Sequence, residues 1–348
     1  MAKSPLIVQP AQTTTCGTYR IGAMTQSTKE RLGIVLSTVT DTTPQEFVEI
    51  GQLAESHGYE SVFINEGRGD ALACAQAIAL GTKQIHTGTN IANIYFRHPF
   101  LAASTSRTIA ELSNGRFILG LGMSHRALLE SLDIDMGDAR AKLGSYTSAV
   151  RDALKGNAGS GFLKQTASRF PVPVYVAGNT VESAALAGIH GDGLMPFLSP
   201  LATIADLNRA ALSARDDCGR GSEAFGCILS IPTFVSEDDD AARSAARYNL
   251  AFFAQLPNYR RQWRRGGFRT AMDAVQKIWA TGSRSEAAQQ IPDELVESVC
   301  VFGNAARCRS QLQAFRDAGV DVPVIAVSPV NEDRLVATRK AIAILAPA

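Results

Sequence analysis

Short apolar runs alternate with longer stretches of helical periodicity along most of this chain. Arg31 to Ser37 (RLGIVLS), Ser61 to Asn65 (SVFIN), Phe117 to Leu121 and Val322 to Val327 (VPVIAV) are short enough for buried strands. Between the first two, Phe47, Ile50, Leu53 and Ala54 recur at helical spacing, with Pro44 suited to the first turn and Gly58 to the end. The same rhythm predicts strands near 31–37, 61–65, 85–91, 117–121, 172–177, 193–197, 226–234 and 322–327. Strand, helix, strand at this spacing means parallel crossovers. The stretch 235–300 breaks the rhythm and reads as a mostly helical insertion. Residues 1–29 are polar and unpatterned and read as a tail, leaving 30–348 as one domain; 156–161 reads as a flexible loop.

Composition narrows this little. The chain has 348 residues, 45% of them hydrophobic, and a net charge of +1. A (β/α)8 barrel takes about 250 residues before insertions. Near-neutrality argues against nucleic-acid binding. The absence of a long apolar run or a secretory signal argues against a membrane and for the cytoplasm. Six cysteines without C-x-x-C spacing read as reduced thiols, and no metal site is expected.

The candidate chemistry sits after the strands. Glu66, in the loop after the second, is either an acid facing the site or a charge satisfied by Arg68 or Arg97. His125 follows the Gly-rich exit of the fourth strand (Gly120, Gly122, Ser124) and is the best histidine for a ligand contact. His57 and His190 read as surface or capping groups, and His98 as structural. Gly178-Asn179-Thr180 joins a strand to a helix N-terminus, where free amides suit an anion or simply cap the helix. Arg260, Arg261, Arg264 and Arg265 around Trp263 are either a solvated face or an anion contact.

The central wording, "RHP", then "A..S.T...LS.GR", then "LGLG.S", resembles the luciferase-like superfamily of (β/α)8 barrels, over roughly Arg31 to Val327. Within it the chain looks most like the coenzyme F420-dependent oxidoreductases. The resemblance implies hydride transfer between coenzyme F420 and a small carbonyl, alcohol or conjugated double bond. The alternatives are an FMN-dependent monooxygenase using reduced flavin and oxygen, and a non-catalytic flavin-binding barrel. It implies a ring backed by Thr89, Asn90 and Ile91, with a non-proline cis peptide near Asn90–Ile91. The phosphate end would reach Gly178, Asn179, Thr180 and the backbone of Gly193, Leu194 and Met195, the last through the likeness of "VYVAGNT...AALAG..GDGLMP". Ser37, Thr38, Gly122 and Ser124 would complete the cofactor site, and Glu66 or His125 would exchange the proton. Relatives carry an acid near the start of the "RAKLGSY" helix, where this chain has Gly144. A homodimer is also implied, through the small-residue helices Ala71 to Leu80 and Leu101 to Leu112.

Overall fold

Gly33–Ser37 forms the first strand, β1, followed by α1 (Pro44–Ser56). This computed structural model describes residues 30–157, 165–280 and 282–348. The tail and most of the 156–161 loop read from the sequence lie outside the described residues. Pro44 stands at the start of α1, and Thr43 and Glu46 cap it reciprocally. Then come β2 (Ser61–Asn65), α2 (Ala71–Gly81), β3 (His86–Thr89), β4 (Ala92–Asn93), α3 (Pro99–Leu112) and β5 (Phe117–Gly122). The expected third strand, 85–91, stops at Thr89 and resumes at Ala92, with a cis Asn90–Ile91 peptide between. His98 caps α3 by accepting from the Phe100 amide at 3.2 Å, so its role is structural.

The chain continues through α4 (Arg126–Glu130), α5 (Ala139–Leu154), β6 (Val174–Ala177), α6 (Val181–His190), β7 (Gly193–Met195), α7 (Ile204–Asp217) and β8 (Gly226–Val235). Five helices, α8 (Asp239–Ala254), α9 (Pro257–Trp263), α10 (Arg269–Trp279), α11 (Arg284–Gln289) and α12 (Asp293–Val299), make up the insertion. It ends in β9 (Val301–Gly303), and α13 (Ala305–Asp317), β10 (Val322–Val327) and α14 (Arg334–Ile344) complete the chain. Neither β9 nor α14 was legible. Asp333 caps α14 through the Leu335 and Val336 amides.

All the strand pairings are parallel. They run β10-β1-β2-β3-β5-β6-β7-β8, and β8 pairs back onto β10 to close an eight-stranded barrel. β8 is long enough to serve two neighbours, meeting β10 at Ile228–Thr233 and β9 at Thr233–Val235. Alternation along each strand sends one set of side chains inward. Phe63, Ile118, Tyr175, Met195, Ile228, Val322 and Val324 fill the lumen. Gly120 admits them: a methyl there would lie 2.1 Å from the Thr89 carbonyl oxygen and 2.5 Å from Met195 Sδ. The other set packs under the helices as the main core. A second apolar core, among them Leu198, Phe234, Tyr259, Trp263, Met272 and Phe302, lies between the insertion and the barrel. The sequence reading did not separate these two cores.

Candidate active site at the mouth of the barrel

The C-terminal strand ends carry a row of small polar side chains across the lumen. Ser37 Oγ donates to Asn65 Oδ1 at 3.2 Å, Asn65 Nδ2 to the Asn90 carbonyl at 3.1 Å, and Asn90 Nδ2 to Ser230 Oγ at 2.9 Å. This row spans β1, β2, the break after β3, and β8. It closes the apolar lumen with a connected polar row. Asn65 and Ser230 went unnoticed in the sequence. The signal was there, since each is a polar residue at an inward position of an otherwise apolar strand.

The hydroxyls of two expected cofactor residues, Thr38 and Thr89, are engaged within the scaffold. Thr38 Oγ1 donates to the Asn65 and Gly69 carbonyls, both at 3.2 Å, and accepts from Gly67 N at 2.7 Å. Thr89 is fully buried, its hydroxyl donating to the Gly120 carbonyl at 2.8 Å and accepting from the Gly120 amide at 3.0 Å. Each hydroxyl is consumed in holding adjacent strand ends at the right height. Ile91 is half-buried against Gly122, where a methyl would stand 2.6 Å from Ile91 Cγ1.

Glu66 is satisfied in the second of the two ways read from sequence. Arg97 grips both its oxygens, Nη1 on Oε2 at 2.9 Å and Nη2 on Oε1. The Ala71 amide reaches Oε1 at 3.2 Å and the Asn93 amide Oε2 at 2.6 Å. The two charged side chains are only 1% and 8% exposed. A carboxylate with four donors on it and no access to solvent has no lone pair to offer a substrate. Glu66 is thereby a structural clasp between α2 and β4, not an acid facing the site. Arg68 pairs instead with Asp41, at 3.7 Å.

His125 remains free. Gly122 ends β5, Ser124 takes a left-handed φ of +59°, and His125 begins α4 without capping it. Neither ring nitrogen has a hydrogen-bond partner among the described residues. Desolvation lowers its pKa from the ordinary 6.5, so the imidazole is neutral at pH 7. Its ring meets Tyr259 edge to face at 5.7 Å. Tyr259 in turn touches Phe197 at 6.0 Å and Phe253 at 5.3 Å. Phe197 bridges to Ser230 on β8, and its amide donates to Asn179 Oδ1 at 2.8 Å. One aromatic wall therefore links the exits of β5, β6 and β7 to the polar row.

That wall is held from behind. Leu198 takes a left-handed φ of +53°, and its carbonyl accepts from Gln262 Nε2 at 3.0 Å and Trp263 Nε1 at 3.1 Å. Trp263 is thus an anchor and not an anion contact. Arg260 is bound to the Ala254 and Gln255 carbonyls, and Arg264 to Asp273 and Gln276.

At the β6 exit, Thr180 and Ser183 cap α6 reciprocally. Hydrogen bonds from Thr180 and from its own backbone amide, with the charges of Arg140 and Arg265, hold the Glu182 carboxyl below its ordinary range. This end of α6 already favours an oxyanion. Gly178 N donates to the Met195 carbonyl at 3.4 Å. The side-chain positions of Gly193 and Leu194 face elsewhere. Gly193 makes room for the Tyr175 ring inside the lumen, and Leu194 points outward into the main core. In a strand of three residues only the last reaches the mouth. Gly144, where an acid was expected, leaves room for His190, whose Nε2 would lie 3.0 Å from a methyl there. No group of metal-ligating side chains occurs among the described residues.

The family model described as luciferase-like monooxygenase matches residues 19–322. The chain belongs to the luciferase-like monooxygenase family. It is an enzyme, and its closed parallel eight-stranded barrel is of the TIM type. A Mycobacterium tuberculosis protein named "Putative coenzyme F420-dependent oxidoreductase" is 28% identical over 339 residues, covering 87% of this chain and 97% of that one. The 5,10-methylenetetrahydromethanopterin reductase of Archaeoglobus fulgidus is 24% identical over 297 residues, covering 81% and 89%. Among solved structures, the coenzyme F420-dependent tetrahydromethanopterin reductase of Methanopyrus kandleri aligns with a TM-score of 0.74 at 19% identity, covering 91% of this chain and 97% of that one.

Proposed function

We propose that this luciferase-like protein is a coenzyme F420-dependent oxidoreductase acting on a small carbonyl, alcohol or conjugated double bond. A relative that carries F420 in its name matches it over 97% of that protein's length. The structural observation that carries the reading is the polar row Ser37–Asn65–Asn90–Ser230 across the strand ends, a line of hydrogen-bonding groups that suits a polar heteroaromatic ring. The donors fit the rest of the cofactor as well. The first turn of α6, with Thr180, Arg140 and Arg265 close by, already stabilises one carboxylate and suits a phosphate.

When bound, a deazaflavin supplies the hydride chemistry. The protein's own part is to orient and to manage one proton. Ile91 and Asn90 back the ring, Gly122 keeps the strand exit low, and the aromatic wall excludes water. His125, neutral and unpartnered, exchanges the proton. Glu66 keeps the loop after β2 in place and takes no part in the exchange.

The test is a pair of fluorescence titrations of the purified protein, one with F420 and one with FMN. F420 should bind at least about tenfold more tightly, a difference of about 1.4 kcal/mol. Tighter FMN binding would move the chain to the flavin-dependent monooxygenases, and binding of neither would remove the reading.

A further inference from the structure

At the end of the barrel away from the mouth, an open groove of about 670 Å³ runs between α7 and the turn from α13 into β10. Asn208, Leu212, Ala318 and Gly319 line it, with Asp216 and Asp217 at one end. Asn208 Nδ2 donates to the Gly319 carbonyl at 2.7 Å, which ties the two walls together. Leu212 stands 47% exposed, an apolar step facing water. The acidic end is unbalanced. Asp216 and Asp217 close the last turn of α7, where the helix already carries negative charge. Neither carboxylate has an ion-pair partner among the described residues. The arginine of the same turn, Arg215, is buried and donates to the Ala224 carbonyl at 2.9 Å, and Arg209 is held by Asp206 at 2.7 Å. Asp216 leans over Gly221, where a methyl would lie 2.4 Å from its Oδ1, so Asp217 is the freer of the two. Such a groove fits a short cationic segment with apolar side chains.

The chain carries such a segment, tethered beside the groove. Arg316 Nη2 donates to the Arg31 carbonyl at 3.1 Å and meets Glu30 Oε2 at 3.8 Å. Arg316 belongs to the last turn of α13, which runs on into the groove wall at Ala318. The described chain therefore begins next to the groove. Residues 1–29 hold the basic side chains Lys3, Arg20 and Lys29 and no acidic one. Among them, Tyr19, Ile21 and Met24 set apolar groups around Arg20. We propose that Tyr19 to Met24 docks in this groove as an extended segment, with Ile21 on Leu212 and Arg20 on Asp217. Alternation along an extended chain puts Tyr19 and Ile21 down and leaves Arg20 at the rim, where Asp217 is exposed. The lengths agree. From Ala205 to Asp217, α7 presents about 18 Å of wall, and an extended segment of this size covers about 20 Å. The chain from Ile21 to Glu30 can span about 30 Å, enough to reach any point of the groove. This surface lies where the chain enters β1, β8 and β10, so it is separate from the cofactor site and does not depend on how that site is read.

The experiment is limited trypsin digestion of the full chain, followed by mass spectrometry at two bonds, Lys3–Ser4 and Arg20–Ile21. Cleavage tracks the open population of a segment when reclosing is fast. Leu212→Lys removes the apolar step and sets a like charge against Arg20. It should raise the rate at Arg20–Ile21 at least about tenfold, with the rate at Lys3–Ser4 and Tm unchanged. An unchanged rate at Arg20–Ile21 would overturn the proposal. The charge pairing is tested by a swap, read by hydrogen exchange. Arg20→Glu should strip protection from the Ile21 to Met24 amides, and adding Asp217→Arg should restore it. A swap that restores nothing overturns the docking as drawn. Protection in the wild type should also be the same when the protein is diluted about 50-fold. Protection that fades on dilution would mean that a second copy fills the groove in place of the chain's own segment, and it too would overturn the proposal.

Discussion

At the scale of single residues, the decisive contrast is between Glu66 and His125. Both follow strands, and both are the right types for proton exchange. The sequence alone favoured neither. What separates them is partnership, which depends on residues distant in the chain: Arg97 and Asn93 close around Glu66, while nothing closes around His125. Glu66→Ala strips the buried Arg97 guanidinium of its bidentate partner and leaves it only Asp70, at 3.3 Å. It should cost about 3–5 kcal/mol in urea unfolding, with the turnover per folded molecule largely kept. For His125 the sign follows from its lowered pKa. Between that folded value and the ordinary 6.5, the unfolded chain binds the extra proton and the folded one does not. The group's contribution to stability is therefore complete above pH 6.5 and is lost as pH falls through the window. Tm should drop across that window in the wild type and drop less in His125→Phe. The rate of alcohol oxidation should also carry an acid limb placed below pH 6.5, absent in the variant. A limb that survives the substitution would assign the proton to another group.

At the scale of elements, strand placement was legible because each strand has an apolar run bounded by turn residues, and Pro44 and Pro99 mark helix starts in plain view. The errors fall where tertiary pairing decides. β6 and β7 are shorter than their apolar runs, since their mutual pairing covers only Tyr175–Ala177 and Gly193–Met195. β9 consists of three residues that exist as a strand only because β8 overruns the barrel to meet them. The floor of the site was half legible. Asn90 was named from the resemblance, but its partner Ser230 lies 140 positions further on. The aromatic wall was not legible at all. Trp263 was read with its basic neighbours, and only the fold shows the indole turned inward onto Leu198. Trp263→Ala should destabilise the protein by about 3–5 kcal/mol. In hydrogen exchange the loss of protection should concentrate in α8 to α12 and spare β1, β2 and β10. Uniform loss over both cores would show that they melt as one unit.

At the scale of the molecule, Leu80 on α2 and Phe100, Leu101 and Leu112 on α3 stand 38–62% exposed on neighbouring helices. Scattered surface leucines need no explanation, but four exposed large apolar side chains on two helices that pack on each other invite a cover. A second copy is the expected cover, related by a two-fold axis. Light scattering at micromolar protein should give about twice the chain mass, and Leu101→Glu should return it to the monomer. A wild-type monomer mass would contradict the dimer. No helix among the described residues is long and apolar enough to cross a membrane.

The division of the interior into two cores has one more consequence. The lumen and the polar row belong to the barrel, whereas Tyr259, Phe253 and Trp263 come from a stretch that buries most of its own apolar side chains. On the function proposed above, changes in that stretch redraw the aromatic wall and leave the polar floor untouched. Selection can therefore act on the two halves of the site separately, altering what is accepted while the redox half stays the same. Transplanting residues 239–300 between relatives is the laboratory version of that history, and its hazard is concentrated at one joint, the strand that both cores share.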